Sequence, residues 1–172
     1  MKFAKGWLAF LVAIFLFGAG FYFLSRPSVS FVEVSGDSMS GIAEGGELLE
    51  VDYDYYANHE VGRGDVVLYQ YAGHENPLLK QVRGIPGDRF SIQPEGGYSL
   101  ILINGQPALT AEGEEFQIEG NEQLLLGQYV EDYNGIIPGG AYLLLGNMRF
   151  GSLDSSRFGL VSKDDILGKV VE

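Results

Sequence analysis

Residues 6–24 read GWLAFLVAIFLFGAGFYFL, nineteen in succession without a charge, and no other feature of the chain restricts its folding so strongly. A helix rising ~1.5 Å per residue carries such a run across most of a ~30 Å hydrocarbon layer. The run is apolar on every side, unlike a surface helix that turns one face to a core. Trp7 and Tyr22 stand near its ends, where amphipathic aromatics favour the membrane interface. Lys2 and Lys5 precede it, and Arg26 alone follows before a long acidic stretch. That asymmetry predicts a cytoplasmic N-terminus and an extracytoplasmic remainder. The competing assignment is a cleaved signal peptide, with Gly18-Ala19-Gly20 as small residues near a cut. Signal peptides carry ~7–15 apolar residues. Here the run is longer and the bulky Phe21-Tyr22-Phe23-Leu24 follows the small residues, which favours an anchor that is retained.

Beyond the Pro27-containing linker the hydrophobic period changes to two. Short strands are predicted at 32–34, 48–51, 66–71, 90–92, 100–103, 116–118, 142–145 and 167–171. Turn residues separate them: Gly45-Gly46, Pro86-Gly87-Asp88, Gly96-Gly97, Asn104-Gly105 and Pro138-Gly139-Gly140. Asn104-Gly105 is the strongest hairpin signal, because both residues accept the positive φ of a type I′ turn. No amphipathic helical pattern of useful length is read after Leu24. The expectation is a mainly β protein, several curled antiparallel sheets forming one domain behind a single N-terminal transmembrane helix.

Charge and composition narrow the chemistry. The chain has a formal net charge of −12. Without Lys2, Lys5 and Arg26, 8 basic side chains face 23 acidic ones, or −15. A domain so acidic is repelled by phosphate backbones, so no nucleic-acid partner is expected. Cysteine is absent, which removes disulfides, thiol nucleophiles and zinc–thiolate sites. The two histidines, His59 and His74, each precede a glutamate in polar surroundings and read as solvated loop residues rather than triad members. No spacing suits a metal ion and none suits a phosphate loop, so neither metal nor cofactor is expected.

A serine–lysine pair asks less of a sequence. A neutral lysine can take the proton of a serine hydroxyl, but the free amine, with pKa ~10.4, is neutral only if burial disfavours its ammonium form. Lys80, between Pro77-Leu78-Leu79 and Gln81-Val82, has a strand-like apolar setting. Taken alone, a lysine lying along a strand with its amine in water explains that setting better.

Five motifs in order alter the balance. Val34-Ser35-Gly36-Asp37-Ser38-Met39, Gly64-Asp65-Val66-Val67, 79–88 (LKQVRGIPGD), Ile103-Asn104-Gly105, and 137–142 (IPGGAY) continuing through Gly146-Asn147-Met148-Arg149 to Ser152-Leu153-Asp154-Ser155 together resemble the boxes of type I signal peptidases. The resemblance runs from about Val32 to the C-terminus and is weaker over 105–135. It implies a Ser38 nucleophile with Lys80 as general base, and an oxyanion held by the Ser38 backbone N–H. Some members donate a second hydrogen bond from a serine at the position of Gly36, where only backbone could serve here. It further implies that Ser152 hydrogen-bonds the lysine and that Asp154 supports the site. Met39 would line the substrate groove, although core packing explains a methionine there equally well.

Five positions in three stretches depart from the family pattern: Gly41 and Ile42 stand where proline and threonine are usual, Asn147-Met148 where Asp-Asn is usual, and Ser156 where arginine follows Asp-Ser. They put substrate preference and an Asp154 salt bridge in question. The resulting organisation is a cytoplasmic stub at 1–5, an anchor at 6–25, a linker at 26–31 and an extracytoplasmic peptidase domain at 32–172, in the plasma (inner) membrane. The expected partners are the lipid bilayer and preprotein or pilin-like substrates at its surface. The implied activity is cleavage of signal peptides from exported preproteins. A maturation peptidase of a conjugation or pilus system, or a non-catalytic membrane-tethered β-domain, are the alternatives.

Overall fold

The computed structural model describes residues 29–72 and 74–171. The predicted anchor at 6–25 and the stub before it lie outside the described residues. Among the described residues no helix is long and apolar enough to cross a membrane.

Eleven strands form two antiparallel sheets. The larger holds β1 (Val29–Glu33), β2 (Leu48–Asp52), β3 (Val66–Tyr69), β4 (Leu78–Gly84), β9 (Ala141–Leu145), β10 (Val161–Ser162) and β11 (Ile166–Val170), in the order β1-β2-β11-β3-β4-β9-β10. The smaller holds β5 (Phe90–Glu95), β6 (Tyr98–Ile103), β7 (Gln106–Pro107) and β8 (Gln117–Ile118), with β6 pairing to each of the other three. β6 turns into β7 through Asn104 and Gly105, at φ 52° and 79°, the geometry expected for that dipeptide. Bulges between Ile166 and Gly168 and between Val82 and Gly84 bend the larger sheet.

The sheets meet at β9, which is buried on both sides. Its Leu143 and Leu145 pack with Phe90, Ile101, Phe116 and Ile137. Tyr142 and Leu144 pack instead with Val67, Val82 and Val161. A third cluster of Val34, Met39, Ala43 and Leu49 lies beneath the β1–β2 connection. Full burial of one such side chain contributes roughly 1.5–3 kcal/mol, so these contacts anchor the connection firmly.

Two elements differ from expectation. Helix α2 (Asn121–Asp132) follows the short α1 (Tyr55–Asn58), where no useful helical pattern was read. Leu126, Tyr129 and Val130 follow helical spacing and face the core cluster. The consecutive Leu124-Leu125 obscures the pattern, since Leu124 is exposed. Tertiary packing of that short stripe selects the helix. Strand β4 was also missing from the predicted set. Its inward positions are Lys80, Val82 and Gly84, and a lysine and a glycine among three inward residues erase the alternation that marks a strand.

Candidate active site

Ser38 lies on the connection between β1 and β2. That connection closes on itself through Val34 N–H to Glu47 O (2.8 Å) and Gly46 N–H to Val34 O (2.9 Å). Within it, Ser40 N–H donates to Asp37 O (3.0 Å), while Ile42 and Ala43 N–H both donate to Met39 O (2.9 Å). Met39 is 1% exposed and plugs the turn into the third core cluster, so Ser38 rides on a turn held from below. Met39 also borders the groove described next.

Lys80 comes from the middle of β4, opposite Val67 of β3. It is 2% exposed, and its Nζ donates to Ser38 Oγ at 2.8 Å and to Leu79 O at 2.8 Å. Burial disfavours the ammonium and lowers the Lys80 pKa to about 8, while the negative charge of Asp154 acts in the opposite sense. A free hydroxyl and a partly neutral amine therefore stand at hydrogen-bond distance, the arrangement a serine nucleophile and its base require. Among the described residues, the N–H groups of Gly36 and Ser38 donate to no group of the chain. Both remain available to an incoming carbonyl oxygen.

A groove of about 1050 Å³ leads to this pair, bordered by Val32 to Ser40 and by Asn76 to Lys80. Its two walls carry free backbone edges. Among the described residues β1 pairs with β2 only, and β9 joins β4 only from Gln81 onward, which leaves Leu78–Lys80 unpaired on that side. His74, read from the sequence as a solvated loop residue, is exposed and lines the groove beside Asn76.

The supporting residues divide. Asp154 is buried and hydrogen-bonded through both oxygens: Gly146 N–H donates to Oδ2 (3.0 Å), and Ser156 N–H donates to Oδ1 (2.9 Å) at the start of α3 (Ser155–Phe158). Among the described residues no arginine pairs with it. Arg157 instead reaches Glu122 at 2.9 Å on the surface. The hydrogen bond expected from Ser152 to Lys80 is not formed. Ser152 is buried, but its Oγ has no partner among the described residues. Gly146 stands against it, so close that a Cβ there would lie 2.4 Å from the hydroxyl and 2.7 Å from Ser38 O. Lys80 turns to Ser38 and Leu79 O instead.

Asn147, which the sequence places in the last box as a departure from the family's usual residue there and without a role of its own, stands at the site. It is 5% exposed, and its backbone N–H donates to Ser38 O at 2.6 Å. A buried polar residue directly after a strand as apolar as β9 is the signal that could have marked it.

Comparison with known proteins gives a consistent answer. The profile of the family described as signal peptidase, peptidase S26, matches residues 4–172. Signal peptidase IB of Staphylococcus aureus strain Mu50 is 28% identical over 169 residues, covering 96% of this chain and 88% of its own. Signal peptidase I of Bacillus caldolyticus is 29% identical over 144 residues, covering 80% of this chain and 74% of its own. A crystal structure of a signal peptidase I from Enterococcus faecalis V583 aligns with 66% of this chain and 98% of its own at 18% identity and TM-score 0.40, too distant a likeness to carry an argument.

Proposed function

The chain belongs to the signal peptidase family, peptidase S26, and from that premise we propose that it is a membrane-anchored serine endopeptidase that removes signal peptides from exported preproteins, with Ser38 as nucleophile and Lys80 as general base. The observation that carries the assignment of the pair is the 2.8 Å contact between the Lys80 amine and the Ser38 hydroxyl, made by a lysine that burial partly neutralises.

The chemistry follows from that geometry. Neutral Lys80 Nζ takes the proton as Ser38 Oγ attacks the scissile carbonyl, and the carbon–oxygen bond forms as the carbonyl π pair moves to oxygen. Backbone N–H groups at Ser38 and Gly36 hold the oxyanion. Collapse of the tetrahedral species expels the amine of the mature chain, which takes the proton back from Lys80 and leaves an ester on Ser38. Water then attacks the ester with Lys80 again as base, and Ser38 is released. Asp154, fully hydrogen-bonded to backbone, holds Gly146 against the Ser38 turn.

The substrate lies extended in the groove. The free edges of β1 and of Leu78–Lys80 can each give it main-chain hydrogen bonds, while alternate side chains meet the groove floor around Met39. Residues 6–25 hold the domain at the bilayer, where cleavage sites emerge from translocation.

The deciding experiment incubates the full chain with a secretory preprotein in detergent or vesicles and locates the cut by N-terminal sequencing. Cleavage at the signal-peptide boundary is expected, with Ser38→Ala slower by at least roughly 10³. Substantial cleavage by the alanine variant excludes Ser38. Cleavage restricted to one secreted subunit reassigns the enzyme to specialised maturation.

A further inference from the structure

Gly41 occupies a position whose left-handed backbone favours glycine. It lies three residues past Ser38 at φ +86°, and its N–H donates to Glu44 Oε1 at 2.9 Å. A Cβ at Gly41 would stand 1.8 Å from Glu112 Oε1 and 3.0 Å from Asn147 Nδ2. The space beside this glycine is therefore filled by a carboxylate and an amide that approach from outside the turn.

Asn147 grips the turn at two points. Its backbone N–H donates to Ser38 O (2.6 Å), and its side-chain Nδ2 donates to Ser40 O (2.7 Å). The same Nδ2 donates to Glu112 Oε2 (3.1 Å), and Oδ1 accepts from Ala111 N–H (2.8 Å). Arg83 donates to Oδ1 at a longer 3.4 Å. Glu112 and Ala111 belong to the loop between β7 and β8, closed by Thr110 N–H to Glu114 O (2.8 Å) and Gly113 N–H to Thr110 O (3.1 Å). That loop belongs to the smaller sheet, whereas Ser38 and Lys80 belong to the larger. Neither Asn147 nor Glu112 lines the groove or touches Ser38 Oγ or Lys80.

We propose that Asn147 and Glu112 are positioning residues for Ser38, joining the smaller sheet to the nucleophile turn, with the Glu112 carboxylate packed beside Gly41, whose φ of +86° favours glycine. Asn147 fixes the carbonyls on either side of Met39, and Glu112 orients the Asn147 amide toward Ser40. Rotation of the turn would part Ser38 Oγ from the Lys80 amine and redirect the Ser38 N–H. Displacement of a reacting group by about 1 Å costs up to ~10²-fold in rate. The inference rests on Ser38 being the nucleophile.

The test measures kcat, KM and melting temperature of the full chain on one preprotein for Glu112→Ala, Glu112→Gln, Gly41→Ala, the double variant Gly41→Ala/Glu112→Ala and, in parallel, Ser38→Ala. Glu112 is exposed, so its loss spares the fold. Glu112→Ala should lower kcat roughly tenfold or more, with KM within twofold of wild type and the melting temperature unchanged. Glu112→Gln keeps an oxygen acceptor for Asn147 Nδ2 and should recover most of the rate. Gly41→Ala should lose activity in both backgrounds from its φ, and lose less where Glu112 is already alanine. Full kcat in Glu112→Ala, or a loss that glutamine does not restore, overturns the positioning role. Activity in Ser38→Ala overturns the nucleophile assignment itself, and the two failures are read from different variants.

Discussion

Replacing Lys80 by methionine, which keeps an unbranched side chain one atom shorter and removes its charge, should abolish cleavage and at the same time stabilise the domain at neutral pH. Burial lowers the Lys80 pKa from 10.5 to about 8, a drop of about 2.5. At ~1.36 kcal/mol for each pH unit, holding the ammonium in the folded domain costs about 3 kcal/mol relative to the unfolded chain. The unfolded chain binds more protons between pH 8 and 10.5, so this penalty is complete below pH 8 and disappears as pH rises through that window. Lys80→Met should therefore raise the stability at pH 7 by up to about 3 kcal/mol, roughly 10 °C for a domain of this size. The gain should vanish above pH 10.5. Denaturant unfolding of both proteins at pH 7 and pH 10.5 measures the difference. Activity gives an independent reading of the same ionisation. The amine is neutral in roughly one molecule in ten at pH 7, so kcat/KM should rise about tenfold per pH unit below pH 7, bend at about pH 8 and level above it. Lys80→Arg, whose guanidinium stays protonated, should be inactive at every pH. A profile that levels near pH 6.5, or a Lys80→Met variant less stable than wild type at pH 7, refutes the argument from burial.

Two further outcomes concern substrate and membrane. If the preprotein lies extended between β1 and Leu78–Lys80, alternate side chains meet the groove. Replacing alanine by a bulky residue at the first or third position before the cut should then block cleavage, as substrate variants assayed by gel shift will show; efficient cleavage of both bulky variants excludes that pose. The charge asymmetry around residues 6–24 predicts that protease added to spheroplasts digests the chain after Arg26, and full protection in intact spheroplasts reverses the orientation.

Much of the smaller sheet and of the proposed Ser38–Lys80 pair is written locally. Asn104-Gly105 specifies its hairpin because the two positive φ angles are a property of those residues alone. The short apolar runs at 100–103 and 142–145, bounded by turn residues, mark strands covered on both faces, and β9 packs a core cluster on each side. Ser38 and Lys80 are legible because their flanking residues resemble the boxes of a known family. Other features depend on what the chain brings together. Leu126, Tyr129 and Val130 become a helix face only when the smaller sheet offers them a core, and the neighbouring exposed Leu124 disguises their spacing. β4 hides its period because its inward lysine is useful only beside Ser38, 42 residues earlier. The predicted bond from Ser152 is not made, because the Lys80 amine is turned to Ser38 Oγ and Leu79 O while the Ser152 hydroxyl lies beside Gly146. Glu112, Asn147 and Gly41 converge from three separate stretches of the chain, a meeting no local pattern encodes. The base strength of Lys80 belongs to the same class. A sequence names the amine, but its pKa follows from how completely water is removed around it, and only the packed sheets decide that.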